Sequence, residues 1–206
     1  MLRKLFDPDQ PLMITLSRIT DCIFLSLFWL LVSFPVVTLG AATTALYDGV
    51  YWGFRKKDRN PWIRFAKSLK RNWKASLLPG LVLLVVFGGL SYAVIQLWNA
   101  AVAARVSWMV FAAVAFGAVV VLGILSVLFP MLSRFENSLG ALLKNTVFLS
   151  LANLPRTVGL GMINAVTLVM CVRFVIPVFI LPAVATLLST FLIEPMFKPY
   201  MTENEN

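Results

Sequence analysis

Histidine is absent from the chain, and its two cysteines, Cys22 and Cys171, both sit inside apolar runs. These gaps remove the imidazole and thiolate ligands on which most transition-metal sites are built, and they leave no disulfide framework. Acidic residues are also scarce, at 9 of 206 against 18 Lys and Arg. The chain has no Gly-x4-Gly-Lys-Ser/Thr loop, no Gly-x-Ser-x-Gly elbow and no His-based triad. P-loop hydrolysis and the common nucleophilic mechanisms are therefore not expected. The chain reads as a non-enzyme with no cofactor and no metal.

Apolar side chains are abundant instead, at 60% of residues against 13% charged, with a mean hydropathy of +0.86. No soluble fold could bury that much apolar surface, so the expected fold is all-α, a polytopic transmembrane helix bundle. A helix of ~20 residues rising ~1.5 Å per residue crosses a ~30 Å hydrocarbon core. Spans are expected over 19–37, 77–98 and 108–130. The first is longer than a signal-peptide core and is followed by more spans, so it reads as a membrane segment rather than a cleaved leader. The last apolar stretch, 158–193, would be ~54 Å long as one helix, too long for tilt to absorb. It divides into spans over 156–172 and 174–193, with Arg173 near the break and Pro177 and Pro182 after it.

Nine of the 18 basic residues lie in 55–76: Arg55, Lys56, Lys57, Arg59, Arg64, Lys67, Lys70, Arg71 and Lys74. The positive-inside rule places this segment in the cytoplasm, so the net charge of +9 reflects topology and not a nucleic-acid partner. Alternation from there puts Arg105 and Arg173 outside, and puts the amphipathic segment 134–155 and the C-terminus inside. The N-terminal Arg3, Lys4 and Arg18 also favour the inside, which requires one more crossing. Segment 41–54 supplies it as a short or re-entrant arm of a hairpin that turns between Pro35 and Gly40, giving six crossings, with five as the alternative. Ala41, Ala45, Gly49 and Gly53 recur every four residues, a face that lets helix backbones approach closely in lipid.

Asn60-Pro61 is a helix start, with Asn as N-cap and Pro at the first position. Trp62, Phe65, Leu69 and Trp73 then recur at helical spacing while Arg64, Lys67, Lys70, Arg71 and Lys74 fall largely on other faces. This pattern fits a helix lying on anionic lipid headgroups with those four residues toward lipid. A helical topology-setting loop and a docking helix for a cytoplasmic partner fit it as well. Arg134-Phe135-Glu136-Asn137-Ser138-Leu139 echoes Arg64-Phe65-Ala66-Lys67-Ser68-Leu69, a short hint of a repeat.

Ionisable residues in or beside apolar runs are expensive unless paired or hydrated. Asp21, Arg173 and Glu194 are expected to snorkel from span ends. Asp48, with Thr44 and Tyr51 on one helical face and Tyr47 beside it, forms a candidate polar intramembrane site that lines a cavity if the hairpin inserts. The alternative is a carboxylate at the interface.

The stretch Pro35-Val36-Val37-Thr38-Leu39-Gly40-Ala41-Ala42-Thr43-Thr44-Ala45-Leu46-Tyr47 resembles the Pro-x-x-Thr-x-Gly-x-Ala-Thr-x-Ala-Leu-Tyr signature of the YesL-like family of bacterial membrane proteins. Arg134-Phe135 and Leu151-Ala152-Asn153-Leu154-Pro155 resemble that family's second recognisable region. The family has no assigned function and supplies no catalytic residues. Its members tend to be encoded near sugar-transporter permeases and polysaccharide-degrading enzymes. The resemblance therefore implies an accessory role in carbohydrate uptake with a permease as partner. A small carrier for a polar solute is the other function class, and a homo-oligomer is left open.

Overall fold

The computed structural model describes residues 11–135 and 138–200, and among these the chain is helical without strands. Arg3, Lys4, the Glu136-Asn137 pair of the echo and the tail 201–206 lie outside the described residues. Helix α1 (Pro11–Ser33) leads through a 3-10 turn (Val36–Thr38) into α2 (Leu39–Val50), which continues as a π-helical turn (Tyr51–Arg55). Next come α3 (Pro61–Val102), α4 (Trp108–Arg134), α5 (Leu139–Ala152), α6 (Leu154–Arg173), a second 3-10 turn (Ile176–Phe179) and α7 (Leu181–Phe197). Five of these, α1, α3, α4, α6 and α7, are long and apolar enough to cross a membrane. This is the architecture of a multi-pass membrane protein.

The expected hairpin forms, with α1 and α2 antiparallel. Arg18 Nη1 donates to the Gly53 carbonyl at 2.6 Å at one end, and Trp29 Nε1 donates to Thr43 Oγ1 at 3.3 Å nearer the tip. Thr38 closes the turn by donating its hydroxyl to the carbonyls of Pro35 and Val32. The second arm is short for a span, its 12 α-helical residues reaching ~18 Å before the five-residue π-helical turn extends it. It is the enclosed centre of the bundle, packed against α1, α3, α4 and α7 and buried from Thr44 through Val50.

Helix α2 and the first half of α3 run antiparallel in close contact. Gly53 lies on Pro61, Gly49 on Phe65, and Gly40 on Ser76 and Gly80. A Cβ on Gly40 would stand 2.5 Å from the Ser76 carbonyl oxygen and 2.9 Å from the Gly80 Cα. Backbone thus meets backbone, an approach that only glycine permits here. Of the small-residue positions, Ala41 and Ala45 are fully enclosed and Gly49 and Gly53 take up the contact with α3.

The separate surface helix and span expected over 55–98 are one helix. α3 runs unbroken through Pro79 for 42 residues, or ~63 Å, about twice a hydrocarbon core. Phe65 is 3% exposed and faces α1 and α2 rather than lipid, which corrects its expected orientation. The buried face continues through Ser68, Asn72, Ser76 and Gly80 at helical spacing. Leu69 is half-buried against the same cluster. Trp62, Lys67, Lys70, Trp73 and Lys74 remain exposed. The helix starts at Pro61 as expected, but the Asn60 side chain makes no cap. Asp58 acts there instead, accepting the Asn60 N–H at 3.2 Å and holding Arg64 Nε at 2.6 Å. That hydrogen bond from Arg64 keeps the Asp58 carboxyl below its ordinary range.

The α3–α4 connection is short because the end of α3 folds back on itself. The Ala104 N–H donates to Ala101 O and the Arg105 N–H to Ala100 O, with Ala104 in the left-handed region at φ 54°. Such a reversal satisfies the last carbonyls of a helix. Trp98, Trp108 and Phe111 then pack edge to face at this end.

The long apolar stretch divides as expected, although the break is longer: α6 ends at Arg173 and α7 begins at Leu181. The two copies of the echo differ in structure, the first lying inside α3 and the second starting at the end of α4. Helices α4 and α6 cross at glycine. A Cβ on Gly123 would overlap the Thr157 carbonyl, and one on Gly161 the Val119 carbonyl. Asn164 Nδ2 ties the crossing to Ser126 Oγ at 2.9 Å.

These contacts predict that Gly123→Leu or Gly161→Leu destabilises the detergent-solubilised protein by about 1–3 kcal/mol or more, the usual cost of overpacking. Gly117→Ala, with nothing within 4 Å of the new methyl, should leave the melting temperature unchanged or raise it. Equal losses for all three would refute the crossing as the tight point.

Candidate intramembrane polar site

Four helices bring their polar side chains together at one level of the bundle. α2 supplies Tyr47 and Asp48 and the π-helical turn that continues it supplies Tyr51, α3 supplies Arg71, α4 ends in Arg134, and α7 supplies Glu194. Arg134 Nη2 donates to Glu194 Oε1 at 3.1 Å, and both side chains are only 12% exposed. Tyr47, itself 2% exposed, donates its hydroxyl to the same Glu194 oxygen. The Arg134 guanidinium lies 3.6 Å from the centroid of the Tyr51 ring, and that ring stacks on Tyr47. A buried pair is tolerable when hydrogen bonds and a ring face replace the water each ion gives up.

Asp48 is paired separately. Arg71 Nη2 donates to its Oδ2 at 3.2 Å and also to the Ser133 carbonyl at 3.3 Å, which links α2, α3 and the end of α4. The carboxylate side chain is 6% exposed but that of Arg71 is 64% exposed, so this bridge reaches the surface from inside.

The sequence-derived site is therefore distributed rather than assembled. Thr44 donates to Gly40 O at 2.9 Å and lies 3.4 Å from Ser76 Oγ, serving the helix contact. Tyr47 serves Glu194, Asp48 serves Arg71, and Tyr51 lies under Arg134. Arg71 belongs to this cluster and not simply to the surface set with Lys67, Lys70 and Lys74. Glu194 does not snorkel: it is the acceptor at the centre of the network. Arg173 is exposed at the end of α6, as a snorkelling residue would be. A signal for the Arg134–Glu194 pair was present, since a lone acidic residue late in an apolar stretch must find a cation. A separation of 60 positions hid which cation it is.

A cavity of about 330 Å3 lies beside this cluster, bounded by residues of α1, α2, α3, α4, α6 and α7. Its walls are mainly leucine and phenylalanine, with Thr43, Tyr47, Ser126, Asn164, Thr186 and Ser189 as the polar groups and no charged residue. Most of these are already engaged: Thr43 accepts from Trp29, Asn164 donates to Ser126, Tyr47 donates to Glu194, and Thr186 donates to its own helix.

Against known proteins, the match falls on the hairpin and its partner helix. Residues 22–93 match the family described as Protein of unknown function, DUF624. The matched stretch runs from within α1 through α2 into α3, the unit built on the Gly40–Gly80 approach. No curated protein and no solved structure matches the chain.

Removing the Glu194 charge leaves Arg134 buried and unpaired, so Glu194→Gln should cost on the order of 3 kcal/mol in thermal unfolding. Asp48→Asn leaves a guanidinium that can turn to solvent, so its cost should stay within about 1 kcal/mol. A reversed order would show that the Asp48 bridge is the more important pair.

Proposed function

We propose that this chain is a non-catalytic integral membrane protein that acts as an accessory or assembly subunit in carbohydrate uptake, with a sugar-transporter permease as partner. The observation that carries the reading is how far the polar interior is engaged with itself. Asp48, Glu194, Arg134 and Tyr47 are bonded to one another or to Arg71. Arg134 Nε is the one buried donor of these groups left without a partner among the described residues, and a solute would find few free donors or acceptors. Carbohydrate as the context rests on the YesL-like resemblance. The solute-carrier alternative has one feature in its favour, the central cavity, but the engaged hydroxyls and leucine walls suit a sugar poorly.

In this reading the α1–α2 hairpin returns the chain to the side it entered from, with Arg18 level with Gly53. Both chain ends and the basic segments around Arg55–Arg59 and Arg134 therefore face the cytoplasm, supported by the charge asymmetry of the connections. The exposed face of the first half of α3 rests against anionic lipid headgroups. Lys67, Lys70 and Lys74 point outward beside the face of Trp62 and Trp73, and the lysine face continues as Leu78, Leu81 and Val85. Each such lysine contributes roughly 1 kcal/mol at an anionic surface.

Affinity purification from native membranes should bring down a sugar-transporter permease at fixed stoichiometry, and the purified chain alone should not move sugars into liposomes. Flux by the lone protein, abolished by Asp48→Asn, would replace this reading with the carrier. For the surface helix, a fluorophore on Ala66→Cys should be quenched by headgroup-linked quencher in anionic vesicles. Quenching should fall when Lys67, Lys70 and Lys74 become Gln, and equal quenching in neutral vesicles at high salt would remove charge as its cause.

A further inference from the structure

At the opposite end of the bundle, beside the Trp98–Trp108 cluster, α3, α4 and α6 leave a groove of about 660 Å3 between them. Small side chains carve it: Ser91 on α3, Ala115 and Ala118 on α4, and Ala165 on α6. The rest of the lining is aliphatic or aromatic save one residue, and that residue is Arg173, the last of α6. Phe87, Leu122 and Leu168 form the inner wall and also line the central cavity, so groove and cavity share a partition.

Arg173 has no salt bridge or hydrogen-bond partner among the described residues. Arg18, Arg64, Arg71 and Arg134 are each engaged by a carbonyl or carboxylate, whereas Arg173, like Arg105, is not, and Arg173 alone of the basic residues lines the groove. A lone guanidinium at the end of a membrane helix, over a trough without other charge, has two complementary halves. The trough excludes water and accepts a hydrocarbon chain, and the guanidinium offers a planar fork of donors that matches phosphate oxygens. Basic residues between membrane helices bind anionic lipid headgroups by this combination.

We propose that the α3–α4–α6 groove binds one anionic phospholipid of the surrounding bilayer, its phosphate on Arg173 and an acyl chain along Ala115, Ala118 and Ala165. The charge of Arg173 supplies preference among lipids, and the alanines supply room for the chain. This site is separate from the lysine face of α3, which lies in the other half of that helix, and it holds whether the chain assists a permease or carries a solute.

Native mass spectrometry of the full chain in detergent, titrated with phosphatidylglycerol or phosphatidylcholine, tests it. One phosphatidylglycerol should bind most tightly, ahead of phosphatidylcholine. Arg173→Gln should weaken that first binding by about fivefold, the equivalent of roughly 1 kcal/mol, while Arg173→Lys retains most of it. Ala165→Phe, which fills the trough from a partly exposed position, should reduce binding of both lipids with the melting temperature checked in parallel. K67Q/K70Q/K74Q should leave the first site intact. Equal affinity for the two lipids, an unchanged first affinity in Arg173→Gln, or loss of that site in the triple lysine variant would each overturn the assignment.

Discussion

The contact on which the bundle turns is the approach of two backbones at Gly40 and Gly80, where Gly40 has no room for a Cβ and one on Gly80 would stand only 3.2 Å from the Gly40 backbone. In lipid there is little hydrophobic gain from bringing apolar helices together, so association depends on close packing and interhelical hydrogen bonds. The contact draws α2 along the first half of α3 for its whole length, and α1 follows as the other arm of the hairpin. A helix short for a bilayer span is thereby enclosed on its sides by longer ones. The Gly123 and Gly161 crossing of α4 and α6 repeats the device in the other half of the molecule.

Enclosure of α2 has an electrostatic consequence. It carries Tyr47, Asp48 and Tyr51 into the interior, where an unsatisfied carboxylate or phenol is costly. The ends of α4 and α7 answer with Arg134 and Glu194, and α3 answers with Arg71. These pairs are unlikely partners by sequence distance but close neighbours once the helices meet, so the polar network locks a packing that glycine and alanine make available. Breaking a buried pair costs more than forming it gains, which makes such a network a specifier of one arrangement more than a source of net stability.

The length of α3 is a second organising feature. Its first half carries lysines and tryptophans outward and Phe65, Ser68 and Asn72 inward, and its second half is apolar on nearly every side. One helix therefore packs against α1, α2 and α4. The lysine face and the groove at Arg173 lie toward opposite ends of that arrangement.

Much of the fold class was legible from composition alone. Apolar runs of span length, the antiparallel hairpin, the Pro61 start and the division of the final stretch all follow from local chemistry: hydropathy, chain length, proline and turn residues. The four-residue spacing of Ala41, Ala45, Gly49 and Gly53 marked a packing face because side-chain size is a local property. Periodicity could not say that Phe65 looks inward, because an aromatic residue at helical spacing suits lipid and protein core equally. It could not foresee that α3 continues through Pro79, since neighbouring helices decide whether a proline ends a helix or is absorbed by it. Nor could it pair Glu194 with Arg134 or Asp48 with Arg71. Charge tells that a partner must exist, but which partner depends on how helices distant in sequence pack, and only the tertiary structure decided that.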